Sequence, residues 1–393
     1  MRTTSVALLA ALCLAALACP TEPEPEPFLT GADLVLVGGT LIDGTGASPI
    51  ADAAVVIRGD LIVFAGRRSR VTIAAEAETL NVGGATILPG FVNAHVHNGY
   101  SAVNLEAWAG HGVTTVRDET ILTSGVRLID LIIQRDTGWS EPRFARLVSA
   151  GWMLTGPGGY GWIRLATAEE ARSKVNEELD QGADLIKVAV EDRTIGTTDL
   201  PVIPTEILQA IVAATHERHR RVSAHVTDAQ FLQRVVDAGV DDVAHTQWDA
   251  VPDAVLRRMV ERGIPLVPTL TVYDATGALA QAQANLRRFV QLGGTVALGD
   301  DFGGLPTTLN PQFVLGMPMP EIRWMAEAGM TPMQIMVAAT RNAARVCGLG
   351  SQLGTLEAGK AADVLVVNGN PLSDLEALTA VRLVIHRGVV IRN

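Results

Sequence analysis

The chain has 393 residues, 48% of them hydrophobic, enough for one large barrel or sandwich or for two smaller domains, and general disorder is excluded. A formal net charge of -11 and a pI near 5.2 exclude a nucleic-acid partner, because binding phosphate needs a basic patch. The longest basic run is only Arg218-His219-Arg220-Arg221.

The chain opens with Arg2 and an apolar run from Val6 to Ala18, too short to span a bilayer and the right length for a signal-peptide core. It closes with Ala16-Leu17-Ala18-Cys19, a small-residue cleavage site that also resembles a bacterial lipoprotein signal with Cys19 as the lipid-bearing residue. Residues 1–19 are therefore expected to be a signal peptide, and the chain is expected to be exported, either secreted or tethered to a membrane through lipidated Cys19. Residues 20–30, with their alternating Pro and Glu, suit an extended tether. Removing the signal leaves Cys19 and Cys347, so no disulfide framework is expected.

Two β-rich runs follow, Leu34 to Gly44 and Ala54 to Gly66, punctuated by Gly and Asp turns. Matching pieces appear near the other end, at Ala362 to Val367 and Val381 to Gly388. Residues 31–86 and 352–393 are therefore expected to form one small discontinuous β-sandwich domain. The middle, 87–351, alternates short apolar strands with helical patterns, which predicts a parallel sheet with crossover helices. Eight strand candidates end near His97, Asp118, Ala150, Val190, Val226, Thr246, Leu270 and Phe302, the number and spacing of a (β/α)8 TIM barrel. Helices are expected over Thr167 to Gln181, Thr205 to His219, Asp228 to Ala238, Pro252 to Arg262 and Thr331 to Val346. Thr167 stands three residues before Glu170, a capping-box spacing.

In such a barrel the active-site groups come from the C-terminal ends of the strands. Four of the eight histidines, His95, His97, His225 and His245, sit there. His95 and His97 are one residue apart, so both imidazoles leave one face of the strand, and two neutral imidazoles make half of a first-row metal site. Taken alone, the pair could equally be a polar rim. On the eighth strand, parity puts Asp301 on the face of Gly299 and Ala297, small enough for the interior, with Asp300 behind it. Lys187 lies inside the apolar run Leu185 to Ala189, where an ammonium is costly unless it is neutral or paired. A neutral amine can take up carbon dioxide to give an anionic carbamate, N6-carboxylysine, able to bridge two metals. The alternative is an ion pair with a carboxylate such as Glu191.

His95-Val96-His97, Lys187, His225, His245 and Asp301, in that order on those strands, resemble the metal-dependent amidohydrolase superfamily. The likeness extends to Gly112 through Asp118, Pro268-Thr269-Leu270, Ala338 through Ala344 and Leu353 through Asp363. The branch it most resembles is imidazolonepropionase-like and Xaa-Pro dipeptidase-like. The resemblance implies two divalent metals, zinc above all, with His95, His97 and Asp301 on one, His225 and His245 on the other, and carbamylated Lys187 between them. It implies water activated by those metals for attack on a carbonyl or phosphoryl centre, with Asp301 passing the proton to the leaving group. The substrate is then a small molecule with an amide, peptide-like or cyclic amide bond.

The mouth departs from prolidase-like relatives at Tyr160, where many carry histidine, and at Glu191-Asp192-Arg193, where a Ser-Gly-Gly turn is common. Tyr160 is a candidate donor to a substrate carbonyl, or a packed loop residue. Other readings stay open: a mononuclear deaminase, for which Asp228 reads as a helix cap rather than a base, a lactone or ester hydrolase, and a metal-free binding lipoprotein. A homo-oligomer is compatible with either. His111, His216, His219 and His386 are not placed as ligands, and Arg117 with Asp118 reads as an ion pair ordering the mouth loop.

Overall fold

Valine- and isoleucine-rich runs from the two ends of the chain lie side by side. In a computed structural model, which describes residues 28–29, 33–122, 124–193, 197–305 and 308–393, Leu34–Val37 pairs with Ala53–Arg58 and with Glu78–Asn81. Leu61–Arg67 completes that four-stranded sheet. A five-stranded sheet combines Thr40–Leu41 and Ala85–Pro89 with Val364–Asn368, Val381–His386 and Val389–Arg392. The expected leader, Cys19 and nearly all of the tether lie outside the described residues.

Leu34–Val37 is an uninterrupted apolar run because both of its faces are covered. Leu34 and Leu36 join Val55, Ile57, Ile87, Val364 and Ile385 in one cluster drawn from both sheets. Val35 and Val37 pack on the other side with Val56 and Val71. His386 is buried at the end of its strand, with Nδ1 2.7 Å from the Pro142 carbonyl. Burial pushes its imidazole down from 6.5 to about 4. Between those values the unfolded chain takes up the proton first, so stability contributed by neutral His386 is present above pH 6.5 and lost as pH falls toward 4. Thermal denaturation of the His386→Gln variant is expected to show a flatter acid slope across that window, and an unchanged slope would assign it to other groups.

Between these terminal segments, short apolar strands alternate with helices. Phe91–Val96, Val113–Asp118 and Arg146–Ser149 pair in parallel. Leu185–Ala189, Arg221–His225, Asp242–Ala244 and Leu266–Val267 form a second parallel run, with Leu154–Thr155 and Ile163–Arg164 at its edge. Asp184 N donates to Ser149 O at 2.8 Å between the two sets. On the other side Leu266 bridges to Val296, Ala94 N donates to Leu298 O at 2.8 Å, and Val96 bridges to Phe302. The expected eighth strand is therefore an extended, bridged segment rather than a regular ladder. Asp301, at φ 59°, takes the backbone out of the pleat.

Helices cover the strands where the apolar periodicity placed them. Thr167 Oγ1 accepts Glu170 N at 3.1 Å, capping Ala168–Asp180, but the Glu170 carboxylate turns to Ala166 N, so the box is one-sided. Asp228 caps Ala229–Ala238. The helix expected over Thr331 to Val346 is interrupted by a π-turn at Ala338–Asn342. Leu298 N takes the Ala338 carbonyl that a regular α-ladder would offer to Asn342, and the turn widens there. None of the described helices is long and apolar enough to cross a membrane.

Arg117 does not pair with Asp118. Adjacent strand residues point to opposite faces, so the two cannot meet. Arg117 is fully buried and clamps Asp242 through two 2.9 Å contacts, with Nε 2.7 Å from Glu119 Oε1. Asp118 instead accepts Gly99 N and Thr120 N at 2.8 and 3.1 Å, ordering the mouth from the other side. Asp242→Ala leaves the buried guanidinium short of one carboxylate. Denaturant unfolding should show a loss of about 3–5 kcal/mol, and a loss below about 1 kcal/mol would contradict the pairing.

Candidate active site

The chemistry-bearing residues arrive from successive strands at one end of the parallel set. His95 is the penultimate residue of the strand Phe91–Val96 and His97 follows it, with His97 N donating to Phe302 O at 2.6 Å. His225 ends Arg221–His225, and His245 follows Asp242–Ala244 in the left-handed region, φ 81°. Lys187 pairs with Ser223 in register, two residues deeper than the Ala189–His225 pair. The segment carrying Asp301 closes on His95 only because residue 299 is glycine. A Cβ there would stand 2.9 Å from His95 N and 2.4 Å from Val267 Cγ1.

Asp301 Oδ1 lies 3.1 Å from His95 Nε2 and 2.9 Å from His97 Nε2. Separations near 3 Å are the edge lengths of a coordination polyhedron with bonds of about 2 Å. The three residues are buried, and a ligand atom from each lies within 4.8 Å of the others. Asp301 Oδ1 is buried without a hydrogen-bond partner, as is His95 Nδ1. His97 Nδ1 faces Thr120 O at 3.2 Å, which leaves Nε2 for a cation. The donor set fits a divalent metal.

The other imidazoles extend the same cluster. Ring centroids are 5.3 Å apart for His95 and His97, 4.8 Å for His95 and His245, and 4.5 Å for His225 and His245. Tyr160 follows at 4.9 Å from His225. Burial, reinforced by the Lys187 charge, pushes His95 down to about 4 and His225 to about 3. Burial and the neighbouring imidazoles hold His245 well below 6.5. At neutral pH these three rings are therefore neutral, with lone pairs available. Burial opposes ionisation of Asp301, yet His95 and His97 hold its carboxyl well below the usual range.

Lys187 has a different partner from the one the sequence suggested. Its Nζ stands 2.5 Å from Glu119 Oε2, and Ser223 Oγ donates to the same oxygen at 2.8 Å. Glu191 turns away to accept Thr227 N at 2.9 Å, and its Oε2 stays 4.0 Å from His225 Nε2. Sequence reasoning missed Glu119. The signal was there: on Val113–Asp118 and beyond, Arg117 and Glu119 share the parity that reaches the interior. Asp300, behind Asp301, accepts from Asn93 Nδ2 at 2.7 Å, and burial pushes it up to about 7.

His95, His97, Lys187, His225, His245, Asp301 and Tyr160 all line one cavity of about 760 Å³. Trp162, Trp248, Leu122 and Leu305 wall it, and Arg193 stacks 4.9 Å over Trp248 at its side. Leu122, Trp162 and Leu309 remain exposed around the mouth. A largely apolar cavity with few converging polar groups is the form of a small-molecule site.

Parallel strands thus deliver imidazoles, a lysine and a carboxylate to one such cavity, a donor set that suits metal-assisted chemistry. The Amidohydrolase family profile matches residues 86–391, and the chain belongs to that family, whose members are metal-dependent. It is a hydrolase acting on carbon–nitrogen bonds. Ochratoxinase from Aspergillus niger is 26% identical over 418 residues, covering 90% of this chain and 84% of its own. Imidazolonepropionase from Solibacter usitatus is 25% identical over 367 residues, covering 81% and 84%. A crystal structure of a Xaa-Pro dipeptidase with bound methionine superposes with a TM-score of 0.79 over 92% of this chain and 100% of that one, at 23% identity, a likeness of fold.

Proposed function

We propose that this chain hydrolyses an amide, peptide-like or cyclic amide bond in a small molecule at a binuclear metal centre. The observation that carries the reading is the convergence of six ligand-competent side chains and Tyr160 on one cavity. His95, His97 and Asp301 would hold one divalent ion, zinc in the first instance, and His225 and His245 the other. Lys187, carbamylated, would lie between them. Such ions lower the pKa of bound water and polarise a carbonyl.

The chain's own residues supply the rest. Asp301 accepts the proton of the attacking water and hands it to the leaving nitrogen. Burial pushes the Tyr160 hydroxyl up to about 12, so it stays protonated and donates to the substrate carbonyl oxygen. Trp162, Trp248 and Leu305 supply apolar wall beside the bond. Glu119 orients the Lys187 nitrogen: a carbamate keeps one N–H, which can still donate to Oε2.

The 2.5 Å Lys187–Glu119 contact also favours a second reading, in which Lys187 stays an ammonium and one metal sits on His95, His97 and Asp301. The same proposal takes the bridges at Val296 and Phe302 as closure of an eight-stranded barrel over 87–351. It takes 31–86 with 352–393 as a β-sandwich domain, and the leader as an export signal with lipid on Cys19.

The test is release of free amine by zinc-loaded protein from dipeptides, N-acylated amino acids and lactams. The reading expects turnover that stops with a chelator and returns with zinc. Turnover indifferent to the chelator, or hydrolysis of lactones alone, would overturn it.

A further inference from the structure

Thr269 is a β-branched residue at φ 48° and ψ 45°, fully buried, separated by Pro268 from the end of the strand Leu266–Val267. Residues of that shape almost never occupy the left-handed region, and they persist there only where the surroundings hold them. Here Glu321 fastens the two residues that follow. Its fully buried carboxylate accepts Leu270 N at 2.9 Å through one oxygen, and Thr271 N and Thr271 Oγ1 at 2.8 Å through the other. Asn310 Nδ2 donates to Thr271 O at 2.6 Å, and Thr269 N donates to Gly299 O at 3.2 Å. The turn is thus fastened from the helix Met319–Glu327, from residue 310 and from the segment that carries Asp301.

What the turn presents is a hydroxyl. Thr269 Oγ1 stands 2.7 Å from His245 Nδ1, while the His245 ring faces His95 and His225. An imidazole can offer Nε2 to a cation only when Nδ1 carries the proton, and the partner of Nδ1 sets that choice.

We propose that Thr269, in the turn that Glu321 fastens through Leu270 and Thr271, is a positioning residue that accepts the Nδ1–H of His245 and so fixes the tautomer in which Nε2 is the free ligand of the second metal. The proposal rests on the assignment of His245 to that metal. Pro268-Thr269-Leu270 then has a use that its sequence does not reveal: the strained threonine does for His245 what the Thr120 carbonyl does for His97. The two histidines differ in that His97 is oriented by backbone and His245 by a side chain, so one substitution addresses His245 alone.

The experiment compares Thr269→Val, which keeps the branched shape and loses the hydroxyl, with Thr269→Ser, which keeps the hydroxyl. Zinc affinity is measured by competition with a chromophoric chelator, and cobalt-loaded protein is followed by visible absorption. Thr269→Val should weaken the second site by about 10- to 100-fold and leave the first unchanged, and Thr269→Ser should restore affinity to within about threefold. Wild-type affinity at both sites in Thr269→Val would overturn the proposal, as would equal losses in the two variants. If Thr269→Val does not fold, nitrogen-15 NMR of metal-free wild type decides. His245 protonated on Nδ1 supports the proposal, and protonation on Nε2 defeats it. Neither readout depends on amide turnover, so failure of the proposed reaction is seen separately in the substrate panel.

Discussion

Asp301→Asn is expected to lower kcat by about 10²–10⁴-fold while the protein keeps its fold and most of its metal. The substitution isolates proton transfer because asparagine has the same shape, can still offer an oxygen, and tolerates the left-handed backbone found at φ 59°. The carboxylate is held ionised by His95 and His97 against its burial, so at neutral pH it carries no proton of its own. Steady-state kinetics on a cleaved amide, with circular dichroism as the folding control, reads the effect. A variant within about threefold of wild type would remove Asp301 from proton transfer.

Lys187→Ala is expected to lower kcat by about 10²–10³-fold and to reduce bound zinc from about two ions to about one per chain. In wild type, carbon-13 bicarbonate should give a carbamate resonance that the variant lacks. Unchanged zinc content together with no carbamate signal in wild type would establish Lys187 as the ammonium partner of Glu119. That outcome has its own physical basis, since Glu119 is fully buried and lies within 2.7 Å of Arg117 as well as 2.5 Å of Lys187. The charges of Arg117 and Lys187 overcome its burial and hold its carboxyl well below the usual range.

Much of the architecture was legible because it follows from periodicity. Apolar runs of four to six residues, followed by amphipathic stretches, mark Phe91–Val96, Leu185–Ala189 and Arg221–His225 and the helices between them. The eighth strand was less so. Its residues are apolar enough, yet the left-handed Asp301 and the small Gly299 make it a bridge rather than a ladder. The interruption at Ala338–Asn342 could not be read at all, because it depends on a carbonyl being taken by Leu298 from a different part of the chain.

The site shows the same division. Placing His95, His97, Lys187, His225, His245 and Asp301 near one another needs only strand ends and parity. Their partners need three dimensions. Glu119 meets Lys187 across 68 positions of sequence and Glu321 reaches Thr271 across 50, and no local pattern encodes either contact. Arg117 shows how proximity in sequence misleads: its neighbour Asp118 faces away, and its partner Asp242 comes from another strand.

The most direct measurement is the zinc content of the chain expressed with zinc and bicarbonate, read by elemental mass spectrometry. The account predicts about two ions per chain. A content of about one ion per chain would contradict the binuclear centre, and one below about a tenth would leave the four imidazoles and Asp301 lining the cavity without holding a metal at all.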